Sequence, residues 1–415
     1  MKFNSCTFCA APWFQIRNDS NGRYRVCCSL EPDKSNFTDR KNFSWPCDTP
    51  EQYFNSDYVK YLRKNLNEGE KLPECRQCWD IESTGGKSLR QITNDTVTHN
   101  NGNNLLQTWL HSYFKNKKDY ESKLFLSSDI KTTNICNFSC LMCEPMNSSQ
   151  IYTNWQKDKD KPAVKKMISM KPKNYLSNVK QIYAENANRY ILLEKILAMN
   201  PKHLKILGGE PLLDQKMLKI LESYKGKSKT NLLFTTNGSV SLTEISERLG
   251  GFNEVNYSIS LDGIGPVQDY IRKGSNWESI DCNIKNYKKQ YPNNQLSVGC
   301  VVQCLNIFHL DSLMDYCSEN EIALNFMNLE DPYYLGLETV PPTLKDLCVK
   351  KLENKNFKRT EYYNQFDYET IDLIKVLNNT QYKPSNIKHL KLYIDWYDPE
   401  QKWNLILPEW KEYLG

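Results

Sequence analysis

Short apolar runs alternate with longer amphipathic segments through the middle of the chain. β-type runs stand at 124–130, 204–207, 231–235, 255–261, 296–302 and 323–329, and the segments between them are long enough for helices. Such alternation is typical of a parallel sheet whose strands are joined by crossover helices. Six such units predict an α/β fold, a partial (β/α)6 TIM-like barrel with its active site at the C-terminal ends of the strands.

The pattern differs on both sides of this barrel. Residues 1–120 are rich in Cys, Asn, Ser and Lys, which predicts a small, loop-rich N-terminal domain that needs a metal to hold it. Within this domain, the pattern at 51–68 predicts one or two helices, and Gly69 is the expected stop signal. The polar stretch at 94–104 is predicted to be a linker. Residues 345–415 predict a helical C-terminal extension whose aromatic tail packs on the barrel. We therefore expect domains at 1–120, 121–344 and 345–415.

Composition narrows the functional class. The net charge of +5 over 415 residues argues against broad nucleic-acid binding, and the run 157–161 (Lys-Asp-Lys-Asp-Lys) is most simply a solvated loop. The N-terminus has no apolar signal core and no run of about 18 apolar residues occurs, which predicts a cytoplasmic protein without membrane contact. Fifteen cysteines in such a protein indicate metal or redox chemistry rather than disulfides.

The most informative motif is a C-x3-C-x2-C loop that follows the first predicted strand and contains Cys136, Cys140 and Cys143. Three thiolates on one tight loop can hold three irons of a [4Fe–4S] cluster. The fourth iron is then free to bind a small molecule, whereas a structural site is normally closed by four ligands. The loop therefore indicates a catalytic cluster.

Further motifs fall at the ends of later predicted strands. Gly208-Gly209-Glu210-Pro211 offers close backbone approach and a carboxylate that can accept from an ammonium group. Thr-Thr-Asn-Gly-Ser follows at 235–239, and Ser258 and Ser260 share one face of their strand. Arg272, nine residues after Gly263, is a candidate for bidentate carboxylate binding.

With these motifs in this order, residues 121–335 resemble the radical S-adenosylmethionine (radical SAM) superfamily. The resemblance implies that the three loop cysteines hold the catalytic cluster and that S-adenosylmethionine chelates its open iron. It implies cofactor contacts for Gly208, Gly209, Glu210, Ser258, Ser260, Arg272 and Asn306. It also implies reductive cleavage to a 5′-deoxyadenosyl radical, which abstracts hydrogen from a substrate, and a flavodoxin- or ferredoxin-type reductant.

The N-terminal cysteines allow two interpretations. Two C-x2-C pairs, Cys6/Cys9 and Cys75/Cys78, would suit a zinc knuckle. The stretch also resembles the twitch and SPASM auxiliary domains of radical SAM enzymes, which implies a second [4Fe–4S] cluster on Cys9, Cys27, Cys75 and Cys78. Cys28 is an alternative to Cys27. Such domains usually follow the barrel, whereas here the domain precedes it.

We therefore expect an enzyme that abstracts hydrogen from an amino-acid, peptide or protein substrate, with an auxiliary cluster for electron transfer or support. The first alternative is a radical SAM enzyme that acts on a small sugar or nucleoside. A third interpretation, from another class, is a zinc-stabilised binding protein without redox chemistry. The sequence does not name the substrate.

Overall fold

The computed structural model describes residues 6–37, 43–83, 87–99, 120–122, 125–184, 186–329, 331–353 and 370–415. One eight-stranded sheet organises them, in the order β2-β1-β3-β4-β5-β6-β7-β8. The strands are β1 (Gln15–Asn18), β2 (Tyr24–Arg25), β3 (Ser127–Lys131), β4 (His203–Leu207), β5 (Asn231–Thr236), β6 (Glu254–Ser260), β7 (Leu296–Val302) and β8 (Ala323–Asn328).

The six expected barrel strands are confirmed as β3 to β8, each within three residues of its predicted bounds. They pair in parallel and in chain order. Right-handed crossovers between sequential parallel strands place every connecting helix on the same face of the sheet. The fold is therefore the expected partial barrel, with one face under helices and one concave face left for a ligand.

The helices that the structure describes fall into three groups. The N-terminal group is α1 (Ala11–Phe14), α2 (Pro50–Phe54), α3 (Asp57–Glu68), α4 (Arg76–Ser83) and α5 (Leu89–His99). The barrel group is α6 (Ser149–Lys157), α7 (Pro162–Ser169), α8 (Tyr175–Ala184), α9 (Asn186–Ala198), α10 (Gln215–Ser223), α11 (Leu242–Arg248), α12 (Gly265–Ile271), α13 (Trp277–Gln290) and α14 (Leu310–Glu319). The C-terminal group is α15 (Pro342–Glu353), α16 (Thr370–Asn379), α17 (Ser385–Tyr397), α18 (Trp403–Ile406) and α19 (Lys411–Leu414).

The N-terminal residues extend the barrel sheet. β1 runs parallel to β3, and β2 closes a hairpin on β1. The expected helices at 51–68 are confirmed, and Gly69 ends α3 with a φ of 102°, a left-handed conformation that favours glycine. The linker expected at 94–104 is wrong for its first half, because α5 continues to His99; residues 100–119 lie outside the described part. The domain boundary near 120 stays a prediction.

Burial alternates along the barrel strands. In β5, Leu232, Phe234 and Thr236 are buried, whereas the side chains between them are half-buried, and β7 shows the same period of two. The buried set packs under the helices in the core. The half-buried set lines the concave face.

The aromatic C-terminal tail contacts the loop that follows β3. The phenols of Tyr393 and Tyr397 on α17 donate to the backbone carbonyls of Leu141 (2.7 Å) and Ser139 (3.0 Å). Both carbonyls belong to the three-cysteine loop, so the extension holds that loop from outside. Among the described residues, no helix combines the length and apolar character needed to cross a bilayer.

Candidate functional site

The three-cysteine loop lies directly on the Gly208-Gly209 turn. A methyl group on Gly208 would lie 2.6 Å from the carbonyl oxygen of Thr133. One on Gly209 would lie 2.6 Å from that of Asn134 and closer still to that of Ile135. The turn also donates two backbone hydrogen bonds, from Gly209 N to Thr133 O (3.0 Å) and from Glu210 N to Ile135 O (2.6 Å). Only glycines allow this approach, which fixes the segment leading into Cys136.

Two further loops hold the middle of the cysteine loop. The backbone N–H groups of Ser139 and Leu141 donate to the carbonyls of Lys273 (2.7 Å) and Ile271 (2.9 Å) at the end of α12. From the Thr-Thr-Asn-Gly-Ser motif, the Asn237 amide donates to the Asn137 side chain at 2.9 Å, and Asn137 donates to Ser239 at 3.0 Å. Motifs that are up to about 140 residues apart in sequence thus converge on one loop.

The three thiols are buried or half-buried and lie within electrostatic range of one another. Burial raises the pKa of Cys140 to about 12, although the Arg272 charge opposes the shift. Burial also raises the pKa of Cys143 and of Cys136, and the Phe138 N–H, 3.4 Å from the Cys136 sulfur, opposes it for Cys136. A group that binds thiolates must therefore displace protons here, which an iron cluster does by coordination.

Arg272 belongs to a buried charge network. Its Nε lies 2.8 Å from Oδ2 of Asp262, a fully buried carboxylate, and its Nη1 lies 4.0 Å from the Cys140 sulfur. Burial alone would lower the pKa of Arg272, but Asp262 and Cys140 raise it above the ordinary arginine value. The guanidinium therefore stays charged beside the cysteine loop.

Glu210 is completely buried and accepts three hydrogen bonds. They come from Asn237 N (2.6 Å), Thr236 Oγ1 (2.7 Å) and Leu212 N (3.1 Å). Burial raises its pKa from 4.5 to about 7, against the effect of these donors. The carboxylate ties the turn at Gly209 to the end of β5.

Three expected cofactor contacts differ in their surroundings. Ser258 and Ser260 are half-buried on the concave side of β6, and the Cβ of an alanine at Gly299 would lie 3.6 Å from Ser258 Oγ. Asn306 is buried, and its amide donates to the backbone carbonyls of Asp262 and Val301 at 3.0 Å each. Asn306 therefore braces the loop after β7, and its contact with a cofactor stays a prediction.

The N-terminal cysteines form a second group. Four of them, Cys9, Cys27, Cys75 and Cys78, line one cavity. The cavity has a volume of about 440 Å³, part of which is open to solvent. Its other walls are mostly apolar and include Leu62 and Leu66 of α3. Cys6 and Cys28 are exposed and do not line it. The four cysteines expected for a cluster thus line one cavity, whereas Cys6 and Cys28 lie outside it. The ligand set, with Cys27 rather than Cys28, stays a prediction.

Burial raises the pKa of all four cavity thiols, to about 12 for Cys9. Backbone N–H groups oppose the shift at three of them: Ala11 at Cys9, Ser29 at Cys27 and Arg90 at Cys78. Such donors are typical of sulfurs that carry negative charge. No three His, Cys, Asp or Glu side chains within the described part of the chain are placed to share a single metal ion, whereas a four-iron cluster binds each thiolate through its own iron.

Arg90 supports this cavity. Its guanidinium makes a bidentate pair with Glu82 (3.0 and 2.7 Å) and donates to the Phe8 carbonyl at 2.7 Å. It also lies 4.9 Å from the centre of the Trp79 ring. These contacts hold Arg90 in place beside Cys78, and both residues line the cavity.

The concave face carries cationic side chains near the cysteine loop. Lys131, at the end of β3, donates to Ser20 Oγ and Asn147 Oδ1 at 3.0 Å each. Burial, with the Arg17 charge, lowers its pKa to about 8. Arg17 on β1 lies 3.7 Å from Asp129, which is in register with Lys205 on β4. Arg17 also lies 3.4 Å from Asp19, so this corner of the barrel carries a small excess of positive charge.

Sequence reasoning missed two of these residues. Asp262 follows Ser260 in the Ser-Leu-Asp-Gly motif, and its place directly after a strand was the available signal. Arg90 follows the Cys75/Cys78 pair in the sequence, but only the fold shows that its side chain reaches the backbone of Phe8.

Comparison with known proteins finds similarity over the middle of the chain. The model of the Radical SAM superfamily matches residues 130–317. "Probable GTP 3′,8-cyclase" of Methanocaldococcus jannaschii is 26% identical over 214 residues, which are 48% of this chain and 70% of that protein. The protein of the same name from Methanococcus maripaludis strain C5 is 30% identical over 199 residues, 46% of this chain and 65% of that protein. The chain thus spans about two thirds of the length of these relatives.

Solved structures give weaker likenesses. Native anSMEcpe with bound AdoMet and Cp18Cys peptide is 17% identical, with a TM-score of 0.34, over 55% of this chain and 61% of that one. Streptococcus suis SuiB bound to S-adenosylmethionine is 13% identical, with a TM-score of 0.37, over 77% of this chain and 69% of that one. At these scores the two structures carry no inference about this chain.

Proposed function

We propose that this chain, whose residues 130–317 match the model of the Radical SAM superfamily, is an enzyme with one catalytic and one auxiliary [4Fe–4S] cluster and a small anionic substrate. The observation that carries the proposal is the convergence of the Gly208 turn, the Asn237 loop and the Arg272 segment on one cysteine loop. A loop held from three sides keeps its thiols in place when a cluster binds and when it exchanges electrons.

The residues present fit a catalytic cluster. Cys136, Cys140 and Cys143 supply three thiolates and leave one iron open, and Arg272 offsets their negative charge. When bound, such a cluster supplies the electron that cleaves S-adenosylmethionine, which yields the hydrogen-abstracting 5′-deoxyadenosyl radical.

The chain's own groups would then hold S-adenosylmethionine. Ser258 and Ser260 are the side chains best placed for this role, because they are half-buried on the concave face. The backbone of Gly208 and Gly209 offers close approach, whereas Glu210 and Asn306 act by fixing the loops around the cofactor. Arg272 orients the cysteine loop and keeps a positive charge near the methionine carboxylate.

The auxiliary cluster is proposed for Cys9, Cys27, Cys75 and Cys78. Four thiol ligands leave no iron open, which favours electron transfer or support over direct binding of substrate. Of the cavity cysteines, Cys9 precedes β1 and Cys27 follows β2. The catalytic loop instead follows the C-terminal end of β3.

The cationic corner, which we define by Arg17, Lys131 and Lys205, is the reason for proposing an anionic substrate. Arg17, Lys131 and Lys205 would recognise phosphate or carboxylate groups, and Asp129 keeps Arg17 oriented. The relatives are cyclases of a nucleotide, so a nucleotide is the first class to test. An amino acid or peptide, which also offers a carboxylate, is the second, and no relative named above favours it.

Anaerobic reconstitution tests the proposal. We expect a brown protein with about eight irons per chain, from two four-iron clusters. With dithionite and S-adenosylmethionine it should form 5′-deoxyadenosine. Cys140→Ala should abolish this product, and Cys75→Ala should spare at least part of it. A colourless protein with stoichiometric zinc would contradict the proposal.

The substrate class has its own test. Nucleoside triphosphates and amino acids are added separately, and we expect the former to accelerate 5′-deoxyadenosine formation. Lys205→Ala should weaken that response, whereas Lys219→Ala, an exposed lysine on α10, should not. Acceleration by amino acids alone would exclude the nucleotide class.

A further inference from the structure

The charge of this chain is concentrated in one stretch, residues 157–180, which we call the basic segment. It holds eight lysines and two aspartates, a net charge of +6, whereas the whole chain carries +5. The remainder of the chain is therefore close to neutral. Such a concentration creates a local positive field that a chain-wide average hides.

The basic segment is joined to one end of the cysteine loop. Lys171 Nζ lies 2.9 Å from Oε2 of Glu144, the residue after Cys143, and the Tyr175 phenol donates to the same oxygen at 2.9 Å. At the other end, Asn154 on α6, the helix that leads into the segment, donates to Ser139 Oγ at 3.0 Å. The segment therefore lies beside the catalytic loop.

The C-terminal helix α17 forms a second link. Trp396 donates to Asp158 in the segment at 2.8 Å, and α7 of the segment packs against α17. The same helix reaches the cysteine loop through the phenols of Tyr393 and Tyr397. Packed helices have axes about 8–10 Å apart, so a single helix layer separates this part of the basic surface from the loop.

The lysines of the segment are available to a partner. Lys157, Lys159, Lys161, Lys165, Lys166, Lys173 and Lys180 are exposed. Of these seven lysines, only Lys161 and Lys165 have ion pairs in the described part of the chain. Their partners are Asp158 (3.2 Å) and Asp160 (3.9 Å). An exposed ion pair contributes little stability, so these cations are not maintained here for folding.

We infer that the basic segment is the docking surface for the electron donor, a small acidic protein with a low-potential one-electron centre. The inference rests on the proposed function, since it presumes a catalytic cluster on Cys136, Cys140 and Cys143. At this surface one electron passes from the reduced donor to the oxidised cluster. The donor is oxidised by one electron, the cluster is reduced by one, and no bond or proton is transferred.

A nucleic acid is the competing partner for a basic surface. The position of the segment favours the donor, because its contacts converge on the cysteine loop. Lys171 pairs with Glu144 (2.9 Å) beside Cys143 and also with Asp331 (2.6 Å) in the loop after β8. An electron donor has only to reach the outside of the cysteine loop.

The test uses the full chain with reconstituted clusters. Lys159→Glu, Lys165→Glu and Lys173→Glu are combined in one variant; all three are exposed and none lies in the last turn of a helix. The matched control combines Lys202→Glu, Lys225→Glu and Lys229→Glu, which are exposed and precede the N-terminal ends of β4 and β5. Both variants change the net charge equally.

Reduced flavodoxin is the probe, mixed anaerobically with each protein while cluster reduction is followed by its absorbance. We expect the segment variant to be reduced about tenfold more slowly at low ionic strength, with the difference vanishing near 0.5 M salt. The control should stay within about twofold of wild type, a change too small for loss of a steering surface. Calorimetric titration with oxidised flavodoxin should show the same loss of affinity.

A wild-type rate in the segment variant, or an equal loss in both variants, would overturn the inference. So would loss of oligouridylate binding with an unchanged flavodoxin rate, because the surface would then belong to RNA. Chemical reduction by dithionite tests the proposed function without the protein donor. If dithionite yields no 5′-deoxyadenosine from wild type, the proposed function fails, and the titration with oxidised flavodoxin still tests the surface.

Discussion

Gly209→Ala should displace the cysteine loop without unfolding the protein. The new methyl would meet the Asn134 carbonyl oxygen at 2.6 Å and the Ile135 oxygen closer still. Both are backbone atoms, so the segment leading into Cys136 must move. The shift also strains the hydrogen bonds from Gly209 N and Glu210 N. Overpacking and two weakened hydrogen bonds together cost about 3–5 kcal/mol, within the total stability of an ordinary domain.

The assay measures iron and unfolding in parallel. In a Cys75→Ala background the auxiliary set is disabled, so bound iron reports the catalytic loop, with about four irons expected. We expect Gly209→Ala to lose at least about half of this iron, given that ligand geometry must hold to within about 0.2 Å, while circular dichroism shows a folded protein.

Gly299→Ala is the matched control. Its methyl would make ordinary contacts, 3.6 Å from Ser258 Oγ and 3.7 Å from Met327 Cε. It should keep the iron and be neutral or slightly more stable, because alanine restricts the unfolded chain. If Gly209→Ala retains both iron and stability, the close approach does not hold the loop and this reasoning is refuted.

Three further variants test other contacts. Arg272→Met leaves the buried Asp262 carboxylate unpaired and should cost about 3–5 kcal/mol in urea unfolding; adding Asp262→Asn should recover part of the loss, and no recovery would argue against the pair. Cys27→Ser should lose the auxiliary iron and Cys28→Ser should keep it, by iron assay; the reverse result would exchange the two ligands. Because the pKa of Glu210 is raised, the folded apoprotein binds a proton that the unfolded chain releases. The contribution of this proton to the free energy of unfolding is present below pH 4.5 and is lost as pH rises towards 7. Glu210→Gln should remove that decline, about 3 kcal/mol, from urea unfolding measured between pH 4.5 and 7.5, and an unchanged decline would assign it to another group.

The sequence predicts the barrel well because its strands are local signals. The run 296–302 is rich in apolar and β-branched residues and is bounded by polar residues. Its predicted first and last residues are therefore those of β7 in the structure. The cysteine loop is equally local, since its three cysteines lie within eight residues. For such features, chain order and spacing already contain the geometry.

What the sequence misses depends on long-range contacts. The pairing of Arg17 on β1 with Asp129 on β3 joins residues that the expected domain boundary separates. The phenols of Tyr393 and Tyr397 reach a loop more than 250 residues earlier. Nothing in a local pattern of apolar and polar residues indicates which distant backbone group a phenol will meet.

The central claim is that this chain holds two distinct iron–sulfur clusters, of which only the one on Cys136, Cys140 and Cys143 binds S-adenosylmethionine. Electron paramagnetic resonance of the reduced, reconstituted protein tests this most directly, with and without S-adenosylmethionine. We expect two overlapping cluster signals, one of which shifts with S-adenosylmethionine and disappears in Cys140→Ala, while the other disappears in Cys75→Ala. A single signal that both variants abolish, or two signals that S-adenosylmethionine leaves unchanged, would contradict the account.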